Sequence, residues 1–162
     1  TISLIPSNLY GPGDNFDLET SHVIPALIRK FHEAKERRDP AVTVWGSGKP
    51  RRESLHVDDL ANACLLVMSV SRKTWEANSP HTFINIGCGE DLTVSELAKL
   101  IRRVTGYDGK INFDSTRPEG TPRKVLDVNR IFAMGWRPEY SLERGLEKTY
   151  LVYKNHPQEI KN

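Results

Sequence analysis

Apolar positions along this chain switch between two periods, and the switches place its elements. Residues 1 to 5 are short, apolar and β-branched, a strand that Pro6 and the turn-prone run from Tyr10 to Asn15 bring to a stop in a long loop. From residue 23 the spacing becomes three and four. Val23, Ile24, Leu27, Ile28 and Phe31 form the stripe of an amphipathic helix to about Lys35, with Ser21 as its N-cap. The charges from Lys35 to Asp39 read as its solvated exit. Residues 41 to 45 return to a β pattern, closed by Gly46 to Pro50 and followed by a short segment over residues 53 to 57. Asp58 or Asp59 then caps an apolar helix over residues 60 to 70. Residues 82 to 86 are a strand ending on Gly87, Cys88 and Gly89. Thr93 and Glu96 form a capping box that opens a helix with Val94, Leu97, Ala98, Ile101 and Val104 on one face.

The remaining third repeats the theme. Residues 110 to 113 are a strand, residues 114 to 124 a polar loop, and Asp127 caps a short helix that Gly135 ends. Ser141 caps the last helix, with Leu142, Leu146, Tyr150 and Tyr153 inward and Pro157 beyond its end. Strand, loop and helix recur without repeat period, low-complexity tract or linker, the pattern of an α/β fold.

Composition narrows the function. At 162 residues and 38% hydrophobic the chain has material for a core, and 23 cations against 21 carboxylates give a net charge of +2, spread along its length. Neither a nucleic-acid stripe nor a membrane segment is expected, and the first residues lack the features of a signal peptide. Cys64 and Cys88 have no CxxC spacing, and the five histidines show neither HxH nor HExxH, so a reducing, cytoplasmic setting and no metal site are expected.

Four segments carry candidate chemistry, each with a plainer reading beside it. The run from Asn8 to Asn15 follows a strand, where α/β folds present ligands; it is equally an ordinary turn. His22 sits at a helix start, whose partial positive charge favours a neutral imidazole able to relay a proton, or it is simply structural. Trp45, Arg51 and Arg52 offer an aromatic plane and guanidinium forks, which suit a nucleoside diphosphate; a hairpin with a core Trp is the alternative. The loop from Arg117 to Lys124 bears three cations and one carboxylate, suited to phosphate or ribose, or to solvent. Gly87, Cys88 and Gly89 do not complete a GxGxxG fingerprint. Tyr150 and Lys154 have YxxxK spacing, but the tyrosine faces the core side of its helix.

Taken in order, IPSNLYGP at residues 5–12, SHVIPALIRKFHEA at 21–34, VWGSG at 44–48, LHVDD at 55–59, NIG at 85–87, GTPRK at 120–124 and GW at 135–136 resemble the C-terminal half of the GDP-L-fucose synthase family. These are NADP-dependent extended short-chain dehydrogenases/reductases. The resemblance covers nearly the whole chain, and its SHVIPALIRKFHEA and GTPRK segments are the most specific. It implies a C-terminal substrate-binding domain over residues 1–162, with residues 1–20 and parts of 58–86 belonging to a Rossmann core whose N-terminal half the chain lacks. It implies NADP(H) contacts from Pro6, Ser7, Asn8, Leu9 and His22, with His22 as the acid in epimerisation. It implies a GDP-sugar held by Lys30, Trp45, Arg52, Glu119 and Lys124, and a homodimeric parent enzyme. Gly13, Ser54, Lys30 and Glu119 stand where relatives often carry His, Phe, Arg and Asp, changes that bear on substrate affinity. The fragment alone is expected to be inactive, because the catalytic YxxxK pair and the Gly-rich loop fall in the other half.

Overall fold

Four small sheets, rather than one continuous sheet, organise the computed structural model, which describes residues 2–79, 81–117 and 119–155. Strand β1 (Ser3–Pro6) runs parallel to β6 (Phe83–Ile86), and β2 (Asn8–Tyr10) runs parallel to β5 (Ser54–His56). β3 (Ala41–Trp45) pairs in parallel with β8 (Lys110–Asp114), placing Trp45 opposite Asp114. β4 (Arg51–Arg52) lies between β7 (Leu92–Thr93), antiparallel to it, and β9 (Arg123–Lys124), parallel to it. The helices are α1 (Val23–Arg37), α2 (Val57–Ser69), α3 (Arg72–Asn78), α4 (Val94–Thr105), α5 (Asn129–Ala133) and α6 (Leu142–Asn155). Among the described residues no helix is long and apolar enough to cross a membrane.

Two apolar clusters hold these pieces. The α1 stripe buries Leu27, Ile28 and Phe31 with Leu97 and Ile101 of α4 and Leu146 and Tyr153 of α6, and Phe16 stacks on Tyr153 with centroids 4.5 Å apart. Each such side chain, fully buried, contributes about 1.5–3 kcal/mol. The second cluster joins Ile84 and Ile86 of β6 to Ala63 and Val67 of α2, Trp75 of α3 and Ile131 and Trp136 around α5. The 41–45 strand and the Thr93–Glu96 capping box form as their sequence dictates: Glu96 N–H donates to Thr93 Oγ1 at 3.1 Å and Thr93 N–H to Glu96 Oε2 at 2.8 Å.

Several boundaries differ from the sequence reading, each for a local reason. The N-cap of α1 is His22 rather than Ser21, and the helix runs on to Arg37 because Arg38, at φ 58°, closes it in the left-handed region. Lys35 is not simply solvated, since its Nζ donates to the Thr105 carbonyl at 2.8 Å. Helix α2 starts at Val57 because His56 Nδ1 accepts the Asp58 N–H at 3.2 Å. That frees the buried Asp59 carboxylate to accept from the N–H groups of Glu139 and Tyr140 at 2.9 and 3.2 Å. Asn8 to Tyr10 is a strand, not loop, because β5 lies beside it. The α3 helix has too few apolar residues to show a period. Asp127 Oδ1 accepts from Asn129 N–H at 3.0 Å, although Val128 occupies the cap position of α5. Residues 51–52 form no hairpin with β3, because β3 is taken by β8. Thr1, Pro118, His156 and Pro157 lie outside the described residues.

Candidate functional site

A cleft of about 260 Å³ opens between the start of α1, the end of β3 and the loop before β9. Its walls hold Lys30 from α1, Trp45 from β3, Arg52 from β4 and Glu119 from the 119–120 loop, together with Glu19 and Ser21. Alternation along β4 explains part of this. Arg51 turns away to a carboxylate, donating from Nε to Asp91 Oδ1 at 2.9 Å, while Arg123 Nε reaches Asp91 Oδ2 at 2.5 Å. Those two bonds hold Asp91 below the usual carboxylate range, Arg123 contributing most, and pin β4, β7 and β9 together. Arg52, the next residue, lines the cleft with Nη1 donating to the carbonyls of Arg51 and Thr121 at 2.8 and 2.5 Å.

Trp45 is 52% exposed, so it is not the core Trp of a hairpin. Lys30 Nζ stands 4.8 Å from its ring centroid, half-buried, and burial lowers the lysine's pKa from its ordinary value. Glu119 accepts the Ser47 N–H, which holds its carboxyl below the usual range and fixes the loop over Gly46. Gly46 is required there: its φ is +83°, and a Cβ would come within 3.1 Å of Glu119 Cγ.

Other expected residues are not among those that line this cleft. Lys124 is exposed and reaches Asn8 Oδ1 from Nζ at 3.4 Å. Asn8 Nδ2 in turn donates to the Glu53 carbonyl at 2.9 Å. Pro6 is exposed, and Ser7 is buried with Oγ in no hydrogen bond. Leu9 lines a shallow recess with Tyr10 to Asp14 and Val57. His22 is exposed between the cleft-lining Ser21 and Val23, and its ring makes no cap hydrogen bond. The imidazole acts electrostatically on Asp14, whose carboxyl burial pushes up and whose Oδ2 is buried without a partner. Tyr150 donates to the Thr105 carbonyl at 3.5 Å and contacts His32 in the core, apart from the cleft. Among the described residues no group of three or more His, Cys, Asp or Glu side chains is placed to hold a metal.

The loop from Arg117 to Lys124, suited by its sequence to phosphate or ribose, carries the Arg117 guanidinium carbon to 5.0 Å from the Trp45 centroid, and Glu53 is fully buried, which its sequence neighbours do not mark. The pairing of β3 with β8 brings Arg117 to Trp45, and no local pattern announces it. The buried state of Glu53 depends on backbone donors 36 and 73 residues away.

Residues 1–87 match the NAD dependent epimerase/dehydratase family. The chain is 53% identical over 150 residues to the GDP-L-fucose synthase of Escherichia coli (strain K12), covering 91% of this chain and 47% of that protein. It is 49% identical over 152 residues to GDP-L-fucose synthase 1 of Arabidopsis thaliana, covering 94% and 45% respectively. It superposes on the crystal structure of a GDP-D-glycero-L-gluco-heptose synthase from Campylobacter jejuni, determined in the presence of NADPH. That match has a TM-score of 0.79 and 32% identity over 95% of this chain and 52% of the other. The chain thus spans about half the length of the curated relatives it matches.

Proposed function

Because the chain belongs to the NAD dependent epimerase/dehydratase family, we propose that it is the substrate-binding, C-terminal part of a GDP-L-fucose synthase. In this reading it grips GDP-4-keto-6-deoxymannose for 3,5-epimerisation and NADPH-dependent reduction at C4. One observation carries the reading: Lys30, Trp45, Arg52 and Glu119, drawn from four separate segments, line a single cleft. Two cations, an aromatic ring and a carboxylate in one cleft together suit a nucleoside diphosphate linked to a sugar.

The remaining site residues take roles that their surroundings support. The 4-keto group acidifies the C3 and C5 hydrogens, so a base can remove each and an acid can return a proton to the opposite face. His22 is that acid; it is exposed beside the cleft, with a ring not committed to capping its helix. Pro6, Ser7, Asn8 and Leu9 fit the nicotinamide end of NADP(H), for the orphaned Ser7 hydroxyl lies just past the carboxyl end of β1, where α/β folds bind such groups. When bound, the reduced nicotinamide supplies hydride to C4. Lys124, through Asn8, links that segment to the sugar-nucleotide side. The base and the carbonyl-activating Tyr come from outside this chain, which by itself does not turn over.

Residues 1–20 and parts of 58–86 pack, in this reading, on the nucleotide-binding half of the parent enzyme, a cytoplasmic homodimer. The exposure of Ile5 (43%) and Phe83 (42%) supports this, since parallel strands are normally covered on both faces. Calorimetric titration of the folded chain with GDP, with UDP as control, tests the reading. GDP should bind in preference, and Arg52→Ala should weaken it about tenfold, the scale of one charge-assisted bond. Equal binding of UDP would reassign the cleft to another nucleotide-sugar, and indifference to Arg52→Ala would remove it from nucleotide binding.

A further inference from the structure

Trp45 carries two cations against its ring. Lys30 Nζ is 4.8 Å and Arg117 Cζ 5.0 Å from the centroid, both inside the range of about 6 Å over which an aromatic face attracts a cation. They arrive from different elements. Lys30 projects from α1, whereas Arg117 follows the turn after β8, and the pairing of Trp45 with Asp114 brings that turn back over the ring.

Neither charge is spent on a close carboxylate. Among the described residues Lys30 makes no ion pair, and its Nζ has only a long bond, 3.4 Å, to the Thr43 carbonyl. Arg117 Nε is 3.8 Å from Asp114 Oδ2, while Asp114 Oδ1 is already engaged by Thr116 N–H and Oγ1 at 3.0 and 2.5 Å. The cleft carboxylate of Glu119 is turned to Ser47 N–H. Burial and the positive charge of Arg117 both hold Lys30 below its ordinary pKa, the sign of like charges kept together. An entering anion with several negative oxygens relieves that repulsion; Lys30 and Arg52 line the cleft with Trp45, and Arg117 reaches it over the Trp45 ring.

We propose that Lys30 and Arg117, held on the Trp45 ring, clamp the diphosphate of the nucleotide-sugar, and that Trp45 is a platform for these cations rather than a stacking surface for the base. The proposal rests on the reading of the cleft as a GDP-sugar site and adds Arg117 to it. A base laid on Trp45 would have to share the ring with both cations, whereas a diphosphate bridges them.

The test is calorimetry on the folded chain with three probes: GDP, inorganic pyrophosphate and guanosine. Arg117→Ala, an exposed change, should weaken GDP and pyrophosphate about tenfold each and leave guanosine unchanged. Trp45→Leu should weaken pyrophosphate as well, because the platform is gone. Loss of guanosine binding in Trp45→Leu with pyrophosphate unaffected would overturn the proposal in favour of base stacking. Wild-type GDP affinity in Arg117→Ala would overturn the clamp and leave the GDP-sugar reading standing. Arg117-dependent binding of pyrophosphate without preference for GDP over UDP would support the clamp and sink the guanine assignment. No binding of either GDP or pyrophosphate would sink both.

Discussion

At the scale of single residues, the cleft depends on small groups as much as on charged ones. Gly120 lies against Arg52 so closely that a Cβ there would stand 2.8 Å from Nη2. That atom ends a long side chain, so Gly120→Ala should fold normally and push Arg52 aside. GDP affinity is expected to drop several-fold with the melting temperature unchanged, and calorimetry alongside thermal denaturation separates the two. His56 shows the opposite character. It is buried, stacks on Tyr140 with centroids 4.2 Å apart, and caps α2 through an Nδ1 that must stay unprotonated to accept the Asp58 N–H. Burial holds its pKa below the ordinary histidine value; the carboxylates of Asp58 and Asp59 pull it upward, and Lys148 adds to the lowering. A depressed value in the folded state means that the stabilisation is complete above about pH 6.5 and is lost as the pH falls through the lower folded value. His56→Asn keeps an acceptor at the cap without a titrating ring. Its melting temperature should fall less between pH 7 and pH 5 than that of the unaltered protein, the remainder coming from His32, which burial shifts the same way. An unchanged slope would assign the whole effect elsewhere.

Elements are tied together here by backbone donors that the sequence does not advertise. The Glu53 carboxylate, fully buried, accepts Gly89 N–H at Oε1 and Leu126 N–H at Oε2, both at 2.8 Å, while its own N–H donates to the Lys124 carbonyl at 3.2 Å. One side chain thereby joins β4, the loop after β6 and the end of β9, and so sets the wall that carries Arg52. Glu53→Gln would turn an amide N–H₂ toward one of these donors, leaving a buried N–H unsatisfied at a cost of about 2 kcal/mol. Chemical denaturation should show that loss, and a variant as stable as the parent would mean the two amides find other partners. The longer helices were legible because their stripes are local: the Val23–Phe31 stripe and the Thr93 box could be read in sequence, although the first helix ends at Arg37 rather than about Lys35. What escaped was long-range. The strand at Asn8–Tyr10 exists because β5 pairs with it, and His56 displaces Asp58 and Asp59 as cap because the Asp59 carboxylate is needed by the 139–140 backbone. Likewise Lys30, Trp45, Arg52 and Glu119 could be named from the motifs they sit in and Arg117 from its cationic loop, but the contact of Arg117 with Trp45 could not, because only the β3–β8 register makes it.

For the molecule as a whole, two apolar clusters divide the work. The one built on α1, α4 and α6 backs the cleft, and the one built on β6, α2, α3 and α5 leaves apolar side chains such as Ile5, Phe83, Leu65 and Met68 exposed. In the proposed function the first cluster backs the substrate cleft, and the second carries the surface on which the other half of the parent enzyme rests. In that function the cleft, and not that surface or the Leu9–Asp14 recess, takes the nucleotide. Amide chemical-shift mapping of the labelled chain with GDP addresses this directly. Changes are expected at Leu18–Lys30, Trp45–Arg52 and Glu119–Gly120, with the Trp45 indole among them. Changes confined to the Leu9–Asp14 recess or to β1 and β6, with the cleft silent, would contradict that reading.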